Sequence, residues 1–359
     1  MNVYAILMAG GVGARFWPRS RQSSPKQVLN IVGKKTMIQA THERLTGLVD
    51  DARVMIVTNA RQKSLIHEQL PQLSDDSFII EPVGRNTAPC IGLAAVHVMA
   101  QDPDGVMVVL PADHVITKVD EFKEVVKLAI DVAVENDALV TMGITPDEPA
   151  TGYGYIQGGE ELLKSGIHRV LKVRTFAEKP NLETATRFLE SGDFFWNSGM
   201  FVWKASAIMA EIQQALPDMY NELMEVGEHI GSNSYSDSLA NAFRAIRGVS
   251  IDVGVMQQSN RVYVIPADMG WNDVGSWETV HDISTKDHNQ HAGKYKELLN
   301  IHSKGCYVSS PEKVVALVGV RDLIIVDTGD ALLVCKKSAA QDVKEVVEQL
   351  KKKGLDKWL

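Results

Sequence analysis

Cysteine is scarce: the 359-residue chain has three, Cys90, Cys306 and Cys335, far apart and without a CxxC pair. That excludes a disulfide framework and a zinc ribbon, and predicts reduced thiols in a cytoplasmic compartment. Positive charge is in deficit, with 37 Lys and Arg against 45 Asp and Glu and a formal net charge of -8. No general attraction to nucleic acid or to a membrane surface is expected, so an anionic ligand must be met by a local cluster of cations. Long apolar runs are missing: nothing approaches the roughly 20 residues of a membrane span. Val3–Met8 breaks into Gly10-Gly11 without a basic leader, and reads as a first strand rather than a targeting segment. Low-complexity segments and clear internal repeats are absent as well.

What is present is alternation. VYAILMA, RVMIVT, SFIIE, GVMVVLPADHV and ALVTMGI are short aliphatic runs. Between them lie amphipathic stretches near Thr36–Leu48, from Ala60, at Thr87–Met99 and at Glu121–Glu135. This rhythm predicts an α/β fold, a doubly wound, mostly parallel (Rossmann-like) mixed sheet with ligands beyond the carboxyl ends of its strands. After Ile144, TGYGYI, HRVLKVRTFAEKP and WNSGMFVW read as longer strands that extend the sheet, with a helix at Asn181–Glu190. The polar stretch STKDHNQHAGKYK reads as a linker. CYVSS, KVVALVGV, DLIIVDT and ALLVCKK then read as four short strands, with a helix over Ala339–Lys352. The expected organisation is a catalytic domain over residues 1–282 and a small β-rich domain over 283–359, whose strands suit a short β-helix.

The densest chemical signal is AGGVGARFWPRSRQSSPKQ, directly after the first strand. Gly10, Gly11 and Gly13 let backbone N–H groups approach phosphate oxygens, and Arg15, Arg19, Arg21 and Lys26 add four cations. The segment is suited to a polyphosphate. It fits neither GxxxxGK[ST] nor GxGxxG with a following acid, which removes the common kinase and dehydrogenase readings. Lys26 follows Pro25, whose fixed φ helps aim it.

A G-x-G-x-R segment ending in Pro-Lys after a first strand resembles the sugar-1-phosphate nucleotidylyltransferases. EPVGRNTAP (Glu81–Pro89), FAEKP (Phe176–Pro180) and GWNDVGSW (Gly270–Trp277) narrow the resemblance to the mannose-1-phosphate guanylyltransferase (GDP-mannose pyrophosphorylase) family. LPADH, TGYGYI, WNSGMF and SIDVGVM follow in the same order. Many bacterial members continue into an isomerase domain. This chain ends at Leu359, so it resembles the short, single-activity form, and isomerase activity is not expected.

The resemblance implies Mg²⁺-dependent transfer of GMP from GTP to mannose 1-phosphate, with GDP-mannose and pyrophosphate as products. The attacking phosphate oxygen is already anionic, so no general base is needed, and the protein's task is electrostatic. Arg15 and Lys26 are the candidates for the triphosphate and the transition state. Asp113, after an apolar strand, and Asp273, in a Trp/Gly-rich turn, stand at the family's metal positions; local sequence alone fits a cap or an Asx turn equally well. Lys179 is the candidate cation for the sugar phosphate. Glu178, Gly152, Asn197 and, more weakly, Asp252 are the candidates around the sugar.

Guanine presents N1–H and the N2 amino group side by side, a pair that one carboxylate can accept, and Glu81 is the candidate. Arg85, Asn86 and Thr87 complete the nucleotide-binding set, with Asn86 also a helix N-cap candidate. His114 receives no catalytic task, and the tryptophans are expected to pack. Two alternatives stay open: the same chemistry on another hexose 1-phosphate or nucleotide, and a non-catalytic regulatory subunit on this fold. The joint presence of Arg15, Lys26, Asp113, Lys179 and Asp273 disfavours the second. Lys26→Ala is expected to lower turnover without disturbing the fold, and a homodimer through the C-terminal unit is expected by resemblance.

Overall fold

The computed structural model describes all 359 residues. In chain order, β1 (Val3–Met8), α1 (Met37–Glu43), β2 (Val54–Asn59), α2 (Ala60–Gln69), β3 (Phe78–Glu81), α3 (Thr87–Gln101) and β4 (Val106–Pro111) form the first half. The two-residue β5 (Val115–Ile116), then α4 (Val119–Glu135), β6 (Leu139–Ile144), β7 (Gly154–Ser165), β8 (His168–Glu178), α5 (Leu182–Ser191) and β9 (Phe194–Lys204) follow. Helices α6 (Ala205–Ala215), α7 (Pro217–Glu228) and α8 (Tyr235–Ala245) lead to β10 (Val262–Pro266), the two-residue β11 (Trp271–Asn272) and α9 (Trp277–Ile283). The C-terminal unit is β12 (Ala292–Ile301), β13 (Tyr307–Val318), β14 (Leu323–Asp327), β15 (Leu332–Lys336) and α10 (Val343–Lys352).

Nine strands make the central sheet in the order β3-β2-β1-β4-β9-β6-β10-β8-β7. All but β8 and β9 run in one direction, as expected for a doubly wound sheet with an antiparallel extension. Strand β4 is buried on both faces, which is why its sequence is a continuous apolar run rather than an alternation. Helices α3, α6, α7 and α8 cover one face, and α1, α2 and α4 the other, each over its own apolar layer. After β1 the chain winds outward to β2 and β3, then returns to β4 on the opposite side of β1. The carboxyl ends of β1 and β4 therefore flank a topological switch point, where such sheets bind ligands.

The C-terminal unit departs from its sequence-based reading in three places. The expected linker ends inside β12, which pairs in parallel with β13. Its exposed positions mix Lys294, Lys296 and Glu297 with Leu299 and Ile301, so no apolar-in, polar-out alternation reveals the strand. CYVSS and KVVALVGV are not two strands: they form the continuous β13, irregular in register where Pro311 lies. The parallel β12-β13-β14 stacking suits a short β-helix, with β15 antiparallel at its end. The last helix begins at Val343, later than expected, after a 3₁₀ segment.

Phe16 and Trp17 from the glycine-loop segment pack with Trp277, Tyr307, Ile324, Val343 and Val347. The C-terminal unit is thus docked on the loop that follows β1. Trp17 Nε1 donates to the Trp358 carbonyl at 2.9 Å, and Arg21 holds Asp330 through two bonds of 2.7 Å.

Candidate active site

The chain leaves β1 at Met8 and turns through Gly10–Gly13. Gly13 adopts φ 77°, and a Cβ on it would lie 2.5 Å from Lys26 Cβ, so both the conformation and the close approach call for glycine. The loop is pinned from beneath by Gln27, whose Nε2 donates to the carbonyls of Ala9 (2.9 Å) and Gly11 (3.0 Å) and to Gln62 Oε1 (2.7 Å).

Lys26 is only 4% exposed. Its Nζ donates to Asp113 Oδ2 and to the Asp273 carbonyl, both at 2.9 Å. Burial alone would raise the Asp113 carboxyl, but Lys26 and His114 hold it below the ordinary carboxylate range. The two aspartates, far apart in sequence, are brought together by a two-strand ribbon. Trp271 pairs with Ile116 and Asn272 with Val115, so the residues flanking β5 and β11 share one rim. Asp273 Oδ1 accepts a 3.0 Å bond from Tyr153 Oη.

His114 has a more specific place than its sequence suggested. Trp271 Nε1 donates to its Nδ1 at 3.1 Å, which puts the ring proton on Nε2, 4.0 Å from Asp113 Oδ1. Burial lowers its pKa despite the nearby Asp113, so the ring is neutral near pH 7.

Two recesses meet at this rim. The larger is a cavity of 610 Å³ whose walls include Gly10, Gly11, Gly13, Glu81, Asn86, Thr87, Asp113 and Asp252. The second, of 380 Å³, is bounded by Gly13, Arg15, Lys26, Asp113, Asp273 and Lys344. Gly13, Asp113 and His114 line both. Among the four loop cations, Arg15 and Lys26 reach the second recess. Arg21 is committed to Asp330, and Arg19 Nη2 donates to Asn30 Oδ1 at 2.8 Å, which removes these two from the expected phosphate cluster.

In the wall of the larger cavity, beside Gly10, Glu81 is buried, 6% exposed, and its Oε1 has no hydrogen-bond partner. Burial pushes its carboxyl up to about 7. An orphaned buried acceptor is costly unless a ligand supplies donors. The rest of the EPVGRNTAP segment works largely as scaffold. Asn86 caps α3 by accepting from Thr87 N–H at 2.9 Å, and Thr87 Oγ1 accepts from Ile251 N–H at 2.9 Å. Arg85 does not line the cavity: its Nε donates to the Phe243 carbonyl at 2.9 Å, which ties α8 to this segment.

Asp252 joins the cavity to the remaining candidates. Asn197 Nδ2 donates to its Oδ1 at 2.8 Å. Burial, reinforced by the Glu178 charge, raises Asp252 to about 6. Glu178 is paired with Lys179, which follows the end of β8 with φ 48° and an exposed side chain. A Cβ on Gly154 would lie 2.6 Å from Glu178 Oε2, so Gly154 is the glycine of TGYGYI that meets this group. Gly152 lies apart in the exposed turn before β7, with no atom close to it. Trp17, Trp196, Trp203 and Trp277 are buried as expected of packing residues.

Sequence reasoning missed Gln27, Tyr153 and Lys344. Tyr153 lies within a quoted motif; Lys344 lies in a helix with no motif to mark it.

Residues 4–290 match the nucleotidyl transferase family, and residues 296–350 match the MannoseP isomerase/GMP-like beta-helix domain. A curated relative, mannose-1-phosphate guanylyltransferase 2 of Escherichia coli O157:H7, is 40% identical, over 97% of this chain and 73% of its own length. The mannose-1-phosphate guanylyltransferase of Escherichia coli strain K12 is 40% identical over 98% of this chain and 74% of its own. Among solved structures, one from Thermus thermophilus named a mannose-1-phosphate geranyltransferase superposes with a TM-score of 0.87 at 30% identity, covering 98% of this chain and all of that one. A Helicobacter pylori structure named a mannose-6-phosphate isomerase has a TM-score of 0.62 at 27% identity, covering 76% of this chain and all of that one.

Proposed function

The chain belongs to the mannose-1-phosphate guanylyltransferase family of nucleotidyltransferases, and from that membership we propose that it transfers GMP from GTP to α-D-mannose 1-phosphate, releasing GDP-mannose and pyrophosphate. The observation that carries this reading is the continuity of the two recesses through Gly13, Asp113 and His114. The larger recess offers a buried carboxyl with an unpartnered oxygen for a base, the smaller a cationic rim for phosphates, and the sugar candidates join the larger at Asp252.

In this reading guanine N1–H and N2–H donate to Glu81, and the triphosphate runs along the Gly10–Gly13 backbone toward Arg15. Asn86 and Thr87 shape the cavity wall beside the nucleoside. Lys179 holds the sugar phosphate, with Glu178, Asn197 and Asp252 at the sugar hydroxyls. A phosphate oxygen of mannose 1-phosphate attacks the α-phosphorus of GTP. The bond to pyrophosphate breaks, and its electron pair leaves on the bridging oxygen. No proton moves, which agrees with a neutral His114 and the absence of a base–nucleophile pair. Lys26 holds Asp113 and the Asp273 backbone in register while Arg15 meets the phosphates.

Asp113 and Asp273 form an all-oxygen donor set at one rim, each with carboxylate capacity left over. This suits Mg²⁺, which prefers carboxylates, phosphate oxygens and water. When bound, Mg²⁺ would neutralise charge on the reacting phosphates.

The protein acts, in this account, as a homodimer in the cytoplasm. Supporting the dimer, Leu299, Ile301, Val314 and Val318 are exposed along one face of β12 and β13, with Ile301 opposite Val318. The reaction is tested by ³¹P NMR of the full-length chain with MgCl₂, GTP and mannose 1-phosphate. Appearance of the sugar-nucleotide diphosphate and of pyrophosphate in equal amounts is expected. Unchanged substrates with folded protein would overturn the proposal.

A further inference from the structure

The recess at the phosphate end is closed on one side by Lys344, which belongs to α10 of the C-terminal unit and not to the nucleotidyl transferase fold. Its position is fixed by its neighbours. Val343 and Val347, one turn apart on α10, are buried against Phe16 and Trp17, the residues that follow Arg15 in the glycine-loop segment. Lys344, between them in sequence, faces outward beside that segment. It makes no hydrogen bond or ion pair, whereas Lys351 on the same helix pairs with Glu348 at 2.8 Å. Lysine in the first turn of a helix also opposes the helix dipole, so its presence there does not serve the helix.

Arg15, which lines the same recess, is likewise exposed and unpaired. Lys26 is in a different state: its ammonium already donates to a carboxylate and a carbonyl. Arg15 and Lys344 are therefore the two cations of the recess with no side-chain partner at all, whereas Lys26 has spent two of its three donors.

Resting on the nucleotidyl-transfer reading, we propose that Lys344 and Arg15 together bind the departing pyrophosphate, so that the C-terminal unit supplies a residue of the reaction site. As the bond between the α-phosphorus and the bridging oxygen breaks, that oxygen takes the electron pair, and negative charge accumulates on the pyrophosphate. Two free cations facing the recess stabilise this charge and hold the product until it leaves.

The test is calorimetric titration of the full-length chain with magnesium pyrophosphate and with GTP, beside steady-state kinetics in both directions. The variants are Lys344→Ala, Lys344→Glu and Lys344→Arg, with Lys351→Ala as the control on the same helix. Lys344→Ala is expected to weaken pyrophosphate binding about tenfold, Lys344→Glu more, and Lys344→Arg less than about threefold, as charge-assisted contacts to phosphate require. KM for mannose 1-phosphate and the melting temperature of Lys344→Ala should stay at their wild-type values.

Pyrophosphate binding by Lys344→Ala equal to wild type would overturn the proposal, as would no binding by wild type. So would an equal loss for mannose 1-phosphate, or a melting-temperature drop that Lys344→Arg fails to reverse. Calorimetry needs no turnover. A wild type that binds pyrophosphate yet makes no GDP-mannose would sink the reaction reading and leave the Lys344 result to be judged alone.

Discussion

Lys26 shows how far a residue's surroundings can differ from its motif. Pro-Lys after a glycine loop suggests a free cation on a loop, and so a substitution without effect on the fold. The side chain is instead buried against Asp113 and the Asp273 carbonyl, 87 and 247 residues away in sequence. Lys26→Ala should therefore lower kcat by on the order of 10²–10³, and also destabilise the protein by about 1 kcal/mol, since Asp113 loses its partner but keeps access to solvent. Adding Asp113→Asn should recover part of the melting temperature and none of the activity. Full stability of the single variant would contradict this account of Lys26.

Glu81 gives a prediction with a defined sign. Burial raises its carboxyl to about 7, above the ordinary value of 4.5. The free protein therefore keeps the proton over that interval, and Glu81's contribution to stability is lost as pH rises toward 7. Guanine needs the ionised form, so GTP binding should strengthen as pH rises from 6 to 8, by up to about tenfold per unit below the pKa. Glu81→Gln should flatten that profile and shrink the preference for GTP over ITP, which lacks the N2 amino group. An unchanged profile in Glu81→Gln would remove the residue from base recognition.

At the scale of elements, the β5–β11 ribbon and the docking of α10 assemble the phosphate end. The Rossmann-like half was legible because β1, β2, β4 and β6 are short aliphatic runs divided by amphipathic helices. LPADH was legible as the exit from a central strand. The pairing of Trp271 with Ile116, which brings Asp273 to Asp113, was not, because a two-residue ribbon leaves no periodicity. Strand β12 is hidden because its exposed positions mix charged and apolar residues without alternation, and Arg19 and Arg21 read as phosphate ligands because their partners lie far along the chain or carry no motif. Arg21→Ala, which removes two bonds to Asp330, should lower stability only slightly, since solvent screens the exposed Asp330. Differential scanning calorimetry would show this as a small shift in melting temperature, and a large loss would mean that Arg21 carries more of the docking than its contacts suggest.

For the whole molecule, the C-terminal unit has two distinct apolar surfaces, the second of which is the contact face of the proposed dimer. One packs under Phe16 and Trp17, and the other exposes the apolar face of β12 and β13. Val318→Lys should convert a dimer to a monomer in analytical ultracentrifugation while leaving the first surface intact. A wild type that sediments as a monomer at micromolar concentration would contradict the dimer.

In the proposed reaction the adjoining recesses select guanine and direct mannose 1-phosphate at the α-phosphorus. The direct test is pyrophosphate release from purified protein with MgCl₂, pairing GTP, ATP, UTP and dTTP each with mannose 1-phosphate and glucose 1-phosphate. Fast release with GTP and mannose 1-phosphate, and slow release with every other pair, is the predicted result. Equal or faster release with another pair would contradict the assignments of Glu81 and the sugar residues. No release from folded protein that binds GTP would contradict the transferase reading itself.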